Sequence, residues 1–415
     1  MSCNWPLKRI SEVANFENSK RVPLKSLDRA KRQGEFPYYG ASGVVDYIDD
    51  FIFDGNYLLI SEDGENLRTR NTPIAFQATG KFWVNNHAHI FSEKEEGILD
   101  YLEYYFSILN IGAYITGAVQ PKLNKANLDK IEIPIPPLED RLKLNGILNS
   151  FRDKVRLNNR TNRTLEEMAQ AIFKSWFVDF DPVKAKMNGE LPDGMDAATA
   201  SLFPEKLVES SLGLVPEGWA VNQLSDICKN HSQSYDLKSV DEVVFVNTGD
   251  VQEGDFLHND YSPVAGLPGQ AKKAIKEDDI LYSEIRPKNK RFAYVDFDVS
   301  DYVVSTKFMV IQANEKVHPR LLYMILTRQP TIDEFNIIAD SRSGTFPQIT
   351  FKAISNLEFC IAPRDVQEAF VEQVMPLIQL QGSLKKENKQ LAELRDTLLP
   401  KLLSGEIELE AATEN

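Results

Sequence analysis

The stretch QPKLNKANLDKIEIPIPPLED, Gln120–Asp140, has a counterpart of the same design later in the chain, FPQITFKAISNLEFCIAPRDV, Phe346–Val366. Each stretch contains a proline, then alternating apolar residues, then a second proline followed by an acidic residue. The alternation predicts a strand, and proline followed by acids predicts the start of a helix. We therefore expect Pro137 and Pro363 to mark two exits from a domain into a helix.

Two further pairs of segments recur in the same order along the chain. WPLKRISEV begins at Trp5 and WAVNQLSDI begins at Trp219, while YLLISE (57–62) resembles DILYSE (279–284). Short apolar strands resemble one another by chance, so no single match decides the matter. Three matches in one order, with drifting spacing, favour two copies of one unit that differ in loop length.

Each copy mixes strand and helix patterns. The β-branched and aromatic runs predict strands, and runs with helical spacing predict helices. The strand runs are NYLLIS, KFWVNN, HAHIF, EVVFVN and KFMVIQ, and the helical runs are LDYLEYYFSIL and PRLLYMILT. The sequence therefore predicts two similar α+β domains.

A heptad seam follows each proline exit. The first seam is Leu144, Leu148, Phe151, Val155, Asn158, Asn162, Leu165, Ala169, Ile172 and Trp176, and the second is Phe370, Val374, Leu377, Gln381, Leu384, Asn388, Leu391, Arg395, Leu398 and Leu402. Each seam predicts a helix of about 50 Å, at roughly 1.5 Å per residue, that buries its apolar stripe against the other. Parallel and antiparallel pairing both place an asparagine opposite Asn388, so the seams leave the orientation open.

Composition excludes several classes of protein. No apolar run approaches the roughly 20 residues of a membrane span, and the N-terminus has no apolar signal-peptide core, so a cytoplasmic protein without membrane contact is expected. The three cysteines are far apart and predict neither a disulfide framework nor a thiolate zinc site. The Gly-rich phosphate-binding loops and the G-x-S-x-G and H-E-x-x-H motifs are absent from the sequence, and we expect no catalytic residues.

Two pairs of potential metal ligands occur. His87 and His89 in NNHAHIF would point the same way from a strand, but two ligands do not hold a zinc ion, and contact or structural histidines are the favoured interpretation. Asp179 and Asp181 could form a carboxylate pair, although we expect them to end the first long helix and begin the connection. No metal site is predicted.

Positive charge is concentrated locally, although the formal net charge of −14 counts against a nucleic-acid partner. Two basic loops, KRVPLKSLDRAKR and RPKNKR, lie in different copies of the repeat. Arg and Lys can neutralise phosphates, and Arg, Asn and Gln can read base edges. A solvated loop is the common fate of such a run, but one cluster in each copy favours DNA contact. The predicted DNA-binding residues are Lys20, Arg21, Lys25, Arg29, Arg32, Arg68, Arg70, His87, Lys122, Lys272, Lys273, Arg286, Lys288, Lys290, Arg291, Arg342 and Gln348.

The order of these features resembles the DNA-specificity subunit of type I restriction-modification systems. The resemblance covers nearly the whole chain and rests on WPLKRISEV, GLVPEGWAVNQLSDI, KFWVNNHAHIF, DDILYSEIRP, QPKLNKANLDKIEIPIPPLEDR, KSWFVDFDPVKAK and LRDTLLPKLLSGEI. No single segment is specific, but their order is.

The resemblance implies a fold and a function. It implies two target-recognition domains, each reading one part of a bipartite asymmetric site in double-stranded DNA, and an antiparallel coiled coil that sets the spacing. It implies a non-catalytic chain without a cofactor of its own. Two methyltransferase subunits, which bind S-adenosylmethionine, would dock on it, and translocating restriction subunits would join them.

On this basis we expect six segments. They are target-recognition domain 1 (1–137), the first spacer helix (138–180), a linker (181–216), target-recognition domain 2 (217–362), the second spacer helix (363–405) and an acidic tail (406–415). A fused restriction-methylation enzyme is disfavoured because nothing outside the repeats is large enough for a methyltransferase. A coiled-coil adaptor that binds only proteins remains the alternative.

Overall fold

The computed structural model describes residues 5–342 and 346–407. The chain divides into two compact units: unit 1 comprises residues 1–161 with 383–415, and unit 2 comprises residues 162–382. Each unit holds one expected α+β repeat and one end of each long helix. Residues 408–415 of the expected acidic tail lie outside the described residues. Within the described ranges, every helix is too short or too polar to cross a bilayer.

Unit 1 is a mixed sheet with helices packed on it. Its strands are β1 (Leu7–Arg9), β2 (Ala14–Phe16), β3 (Gln33–Gly40), β4 (Gly43–Ile48), β5 (Phe53–Ser61), β6 (Ala75–Val84), β7 (Ala88–Glu93) and β8 (Glu132–Pro134). Its helices are α1 (Ile10–Val13), α2 (Ser26–Arg29), α3 (Asn66–Thr69), α4 (Ile98–Ile108), α5 (Lys125–Leu128) and the start of α6 (Leu138–Phe177). The main sheet has the order β2-β7-β5-β6-β3-β4, and β1 pairs with β8.

The apolar residues of the opening stretch enter the core of unit 1. Leu123, Leu128, Ile131, Ile133 and Ile135 are each at most 2% exposed. The strand that they predict is shorter than expected and covers only β8. The earlier part turns into α5 instead, because the Asn124 side chain accepts a hydrogen bond from the Asn127 N–H at 2.9 Å and caps that helix.

Unit 2 contains two four-stranded sheets, of order β12-β21-β18-β19 and β16-β13-β20-β17. Its helices, after the end of α6, are α7 (Asp181–Met187), α8 (Ala197–Ser201), α9 (Leu224–Ile227), α10 (Pro319–Thr327), α11 (Gln329–Arg342), α12 (Phe351–Ile354) and the start of α13 (Arg364–Leu403). Its strands are β9 (Leu207–Ser210), β10 (Gly213–Pro216), β11 (Ala220–Gln223), β12 (Cys228–His231), β13 (Glu242–Val246), β14 (Val251–Gln252), β15 (Asp255–Phe256), β16 (Tyr261–Pro263), β17 (Ala271–Ala274), β18 (Ile280–Ser283), β19 (Phe292–Tyr294), β20 (Tyr302–Ser305), β21 (Phe308–Ala313) and β22 (Glu358–Ile361).

The segment expected to be a linker is partly ordered into secondary structure. It contains the short helices α7 and α8, and Asp181, which we expect to begin the connection, is the first residue of α7. The sequence does not predict the β9–β10 hairpin, because its strands, LVES and GLVP, are only four residues long and do not alternate between apolar and polar residues. Helix α6 ends at Phe177 rather than at residue 180, and Phe180 has a left-handed backbone (φ 56°) where the chain turns into α7.

The long helices run antiparallel where they pack within each unit. In unit 1, Leu148 lies in one apolar cluster with Leu402, and Asn158 Nδ2 donates to Asn388 Oδ1 at 2.9 Å. In unit 2, the ring centroids of Phe177 and Phe370 lie 4.9 Å apart. Residues early in α6 therefore meet residues late in α13, which confirms the antiparallel arrangement that the resemblance implies and shows that Asn158 is the asparagine opposite Asn388.

The two α+β repeats begin and end in the same way. Strand β1, helix α1 and strand β2 of the first repeat correspond to β11, α9 and β12 of the second, and the first strand of each repeat pairs with its last, β1 with β8 and β11 with β22. The helix caps match as well: the Arg9 N–H donates to Glu12 at 2.7 Å, and the Gln223 N–H donates to Asp226 at 3.2 Å. These matching hydrogen bonds confirm the duplication that the sequence predicts.

Candidate nucleic-acid interface

In unit 1, the end of β5 lies beside the start of the opening stretch. The Leu123 N–H donates to the Glu62 carbonyl at 2.8 Å, and the Gly64 N–H donates to the Pro121 carbonyl at 3.1 Å. We call residues 61–64 and 121–123 the unit 1 loop pair. These two bonds fix the positions of the side chains that the loops present.

Unit 2 repeats this arrangement bond for bond. The Ile349 N–H donates to the Glu284 carbonyl at 2.8 Å, and the Arg286 N–H donates to the Pro347 carbonyl at 3.0 Å. Residues 283–286 and 347–349 are therefore the unit 2 loop pair. Both loop pairs start from a buried serine, Ser61 or Ser283. The repeated Ser-Glu dipeptide is the sequence signal that marks them.

The matching backbones carry different side chains. Gly64 in unit 1 stands where Arg286 stands in unit 2, and Lys122 stands where Gln348 stands. Both Gly64 and Arg286 have positive φ, 108° and 46° respectively. Each loop pair is therefore a shared frame on which the two units present different hydrogen-bonding groups.

A polar cluster surrounds Glu62 at the unit 1 loop pair. Arg21 Nη1 lies 2.6 Å from Glu62 Oε2, and Lys122 Nζ lies 3.3 Å from Glu62 Oε1. Burial raises the pKa of the Glu62 carboxyl, but the Arg21 hydrogen bond and the neighbouring His89, Arg21 and Lys122 outweigh burial and leave that pKa below its ordinary value. The carboxylate is charged near neutral pH and neutralises part of the local positive charge.

The two histidines have different environments. The His87 side chain is 47% exposed, and its Nδ1 lies 2.8 Å from Asp63 Oδ1. His89 is 1% exposed, with Nε2 2.7 Å from the Leu123 carbonyl and Nδ1 2.9 Å from the Asn18 amide. Burial lowers the pKa of His89. Among the described residues, no group of three or more His, Cys, Asp or Glu could hold a metal ion.

The first basic loop is largely neutralised by acids that lie outside the loop. Arg29 Nε lies 2.9 Å from Asp46, and Arg32 lies 2.9 Å from Asp49. Lys20 pairs with Glu17 at 2.8 Å. Lys25 is exposed and makes no ion pair with any residue in the described ranges. This loop therefore presents less net positive charge than its sequence suggests.

Arg68 and Arg70 bind backbone carbonyls. Arg68 Nη2 donates to the Gly117 carbonyl at 2.8 Å, whereas Arg70 Nη1 donates to the Ser107 carbonyl at 3.1 Å, at the C-terminal end of α4. Arg70 is half-buried and also donates to the Leu109 carbonyl. Arg70 stabilises a helix end, and exposed Arg68 braces the loop around Gly117.

In the described part of the chain, ion pairs neutralise less of the positive charge of the second basic loop than of the first. Arg286, Lys288 and Arg291 make no ion pair with residues 5–342 or 346–407, and the first two are exposed. Lys290 pairs with Glu253, but only at 3.9 Å. The Lys288 N–H donates to Asn336 Oδ1 of α11 at 2.7 Å, which seats the loop on that helix.

The other predicted residues of unit 2 lie in two places. Arg342, at the end of α11, donates to Thr350 Oγ1 at 3.3 Å, close to Gln348 of the loop pair. Lys272 and Lys273 lie on β17 in the other sheet, where Lys273 Nζ donates to the Phe308 carbonyl at 2.6 Å. The structure therefore brings Arg286, Lys288, Arg342 and Gln348 together around one loop pair.

Comparison with known proteins assigns the chain to a family. The family model described as "Type I restriction modification DNA specificity domain" matches residues 3–167 and 216–394, which together make up most of the chain. The chain belongs to this specificity-domain family. The two matches correspond to the two repeats and confirm the duplication.

Two relatives and one solved structure illustrate the likeness. The HindI specificity subunit of Haemophilus influenzae is 47% identical over 179 residues, which span 42% of this chain and only 39% of that relative's length. The MjaIX specificity subunit of Methanocaldococcus jannaschii is 24% identical over 98% of this chain and 94% of its own. The crystal structure of a type I system S subunit from M. genitalium shares the fold, with a TM-score of 0.57, 14% identity and 96% of each chain covered.

The seam residues of this specificity-domain protein lie along the helix packing. Leu148, Asn158, Leu165 and Trp176 are at most 7% exposed. Phe151, Val155, Ile172, Leu377, Leu384, Asn388, Leu391 and Leu398 are half-buried. The seam therefore forms the predicted coiled-coil packing in each unit, and docking of partners on it stays a prediction.

Some candidate residues of this specificity-domain protein have no sequence signal of their own. Asn336, which holds the second basic loop, lies on α11, a helix with weak amphipathic spacing that begins next to Pro330. Val119, at the tip of a hairpin beside the unit 1 loop pair, is 96% exposed. Neither residue belongs to a charge run, and only the fold places Asn336 beside the second basic loop and Val119 beside the unit 1 loop pair.

Proposed function

We propose that this chain is the DNA-recognition subunit of a type I restriction-modification complex. Each α+β repeat reads one part of a bipartite asymmetric site in double-stranded DNA, and the long helices set the spacing between the two parts. The chain performs no catalysis. The observation that carries this proposal is that two loop pairs with matching backbone hydrogen bonds present different side chains, because such loop pairs suit the recognition of two different DNA sequences.

The chemistry of the loop pairs supports recognition of DNA rather than of a small molecule. Exposed Arg286 and Lys288 are suited to phosphates or to guanine edges, and Gln348 is suited to adenine. The strong net negative charge of the chain, −14, accompanies these local basic loops. We expect weak DNA binding by the isolated chain and strong, salt-dependent binding by the assembled complex.

The partners follow from the same role. Two methyltransferase subunits would dock on the helices and bind S-adenosylmethionine, and translocating restriction subunits would join for cleavage. The relatives described above are named as specificity subunits of type I restriction enzymes, which supports this assignment. DNA as the target places the action of the complex in the cytoplasm.

Methylome sequencing tests the proposal directly. Cells that express this chain with its neighbouring methyltransferase should acquire methylation in one split motif. Exchanging residues 217–362 for those of a relative should change one half of the motif, and exchanging residues 1–137 should change the other half. A change in both halves of the motif, or in neither, would contradict the proposal that each repeat recognises its half independently.

A coiled-coil adaptor that binds only proteins gives a different outcome. An adaptor would produce no split motif, and alanine at Arg286, Lys288 and Arg291 would leave the DNA affinity of the complex unchanged. We expect the triple variant to weaken DNA binding and to keep the methyltransferase subunits bound.

A further inference from the structure

A short hairpin in unit 1 holds an apolar side chain in solvent. Thr116 and Lys122 exchange both backbone hydrogen bonds, at 2.9 and 2.7 Å, and close the hairpin. Gly117 has a φ of 88°, and a Cβ there would lie 2.2 Å from the Gln120 carbonyl, so that only glycine fits the turn. Val119, at the tip, is 96% exposed.

The hairpin is fixed from outside as well. Arg68 donates to the Gly117 carbonyl at 2.8 Å, and the Gly64 N–H donates to the Pro121 carbonyl at 3.1 Å. A single exposed apolar residue on a protein surface is ordinary. A braced hairpin that holds a valine at its tip indicates a binding role more specifically. The reason is that valine contributes stability only when it is removed from water.

Unit 2 also presents an exposed apolar side chain beside its loop pair. Phe346 directly precedes Pro347 and is 67% exposed, one position further along the repeat than Val119, which lies two residues before Pro121. Ile337, on the helix that seats the second basic loop, is 70% exposed. Both repeats therefore expose an apolar residue beside the loop pair.

Exposed basic groups accompany the apolar tip in unit 1. The side chain of Lys122 is 50% exposed and that of Arg68 is 42% exposed, and both residues hydrogen-bond within or to the hairpin. DNA-bending proteins combine these two elements: cations lie on the phosphates, and an apolar side chain enters between base pairs and unstacks them. A protein partner would not require cations around the apolar residue.

We propose that Val119 is a wedge that enters the DNA at a base-pair step, and that Phe346, one position further along the repeat, acts in the same way in unit 2. This inference rests on the proposed function. It adds that each α+β repeat deforms the DNA that it binds. Steps that unstack easily, such as TA and CA, would be favoured at the wedge. Part of the sequence preference would then come from deformability rather than from base-edge contacts.

Fluorescence of 2-aminopurine, placed in turn at each adenine of the methylated motif, tests the wedge in the assembled complex with the methyltransferase. Wild-type complex should raise the emission at one step in each half of the motif. Val119→Ser should abolish the rise in one half, keep it in the other, and weaken binding roughly tenfold, since it removes the burial of about two methyl groups. Val119→Leu should keep both signals.

Val44→Ser is the matched control, because Val44 is also exposed in unit 1 and lies on β4, which carries no predicted DNA-binding residue. It should behave as wild type, and the melting temperature of Val119→Ser should be unchanged. If Val119→Ser binds as tightly as wild type with the same emission, the wedge is wrong although the chain still recognises DNA. If wild-type complex fails to bind DNA, the proposed function fails and the wedge fails with it.

Discussion

Arg286 donates its backbone N–H to the carbonyl of Pro347 at 3.0 Å from a left-handed conformation with a φ of 46°. A left-handed non-glycine residue costs roughly 1–2 kcal/mol. Gly64 makes the equivalent bond in unit 1 without that cost, because it has no Cβ. Glycine at this position would remove the backbone strain. The presence of arginine therefore indicates that its exposed side chain has a function.

Arg286→Gly should therefore stabilise unit 2 and weaken DNA binding. The free energy of unfolding should rise by about 1 kcal/mol as the strain is relieved. Loss of the guanidinium should lower the affinity of the assembled complex for its motif and reduce the salt dependence of binding by about one phosphate contact. Chemical denaturation and binding titrations at several salt concentrations measure the two effects.

Arg286→Ala separates the two contributions. It removes the same guanidinium but keeps a Cβ, so that we expect the same loss of affinity without the gain in stability. Unchanged DNA affinity in both variants would show that Arg286 does not contact DNA.

Arg21 and Lys25 lie in the same basic loop but should respond differently to substitution. Arg21→Ala should destabilise unit 1 by roughly 2–3 kcal/mol, because the Ala88 carbonyl and Glu62 lose their Arg21 donor, although Glu62 keeps its contact with Lys122. Lys25→Ala should leave stability within about 0.5 kcal/mol of wild type. Thermal melting of the full chain compares them.

DNA binding should show the reverse order. Lys25→Ala should weaken binding of the complex at all sequences and reduce the salt dependence by about one contact. A soluble, folded Arg21→Ala variant with wild-type stability would contradict the structural role of Arg21.

Asn158 lies 2% exposed between the long helices, where its Nδ2 donates to Glu387 at 2.8 Å and to Asn388 at 2.9 Å. Asn158→Ala should lower the free energy of unfolding by about 2 kcal/mol, because both acceptors lose their donor. Thr164→Ala, at an exposed position of the same helix, is the control and should change it by less than about 0.5 kcal/mol. Equal effects in urea denaturation would show that the polar layer does not stabilise the helix pair.

His89 should make the stability of unit 1 depend on pH. Burial lowers its folded-state pKa below the ordinary value, while the hydrogen bond to Leu123 and the charge of Glu62 oppose burial and the charges of Arg21 and Lys122 reinforce it. The unfolded chain therefore takes up the proton more readily. The contribution of neutral His89 is full above about pH 6.5 and declines as the pH falls through the folded-state pKa.

His89→Gln should remove this decline. Between about pH 7.5 and about pH 5 its melting temperature should fall less than that of wild type, since glutamine does not titrate. An identical slope in His89→Gln and wild type would exclude His89 as the titrating group.

Short-range sequence patterns predict the long helices of this chain and the residues where they begin. The heptad positions from Leu144 to Trp176 repeat every three or four residues, and the structure buries or half-buries them all. The predicted exits from domain to helix are also confirmed, because α6 and α13 begin directly after Pro137 and Pro363. A proline followed by acids acts through local backbone geometry and the helix dipole, both of which are readable from a few residues.

The roles of single basic residues are not readable in this way. Arg29 and Arg32 belong to one charge run, but their partners Asp46 and Asp49 arrive through the pairing of β3 with β4. Arg70 looks like Arg68 in the sequence, yet it binds the end of α4. Whether a cation faces solvent or a carboxylate depends on strand register, which the sequence pattern does not specify.

Each repeat enters and leaves through neighbouring strands, Leu7 opposite Pro134 in one and Ala220 opposite Ile361 in the other. The two ends of a reader therefore lie side by side, next to the point where the following helix begins. Recombination between genes at these framework segments would replace a whole reader in one event and leave the helix start intact. New specificities could then arise by exchange of cassettes, without mutation of the parts that hold the assembly together.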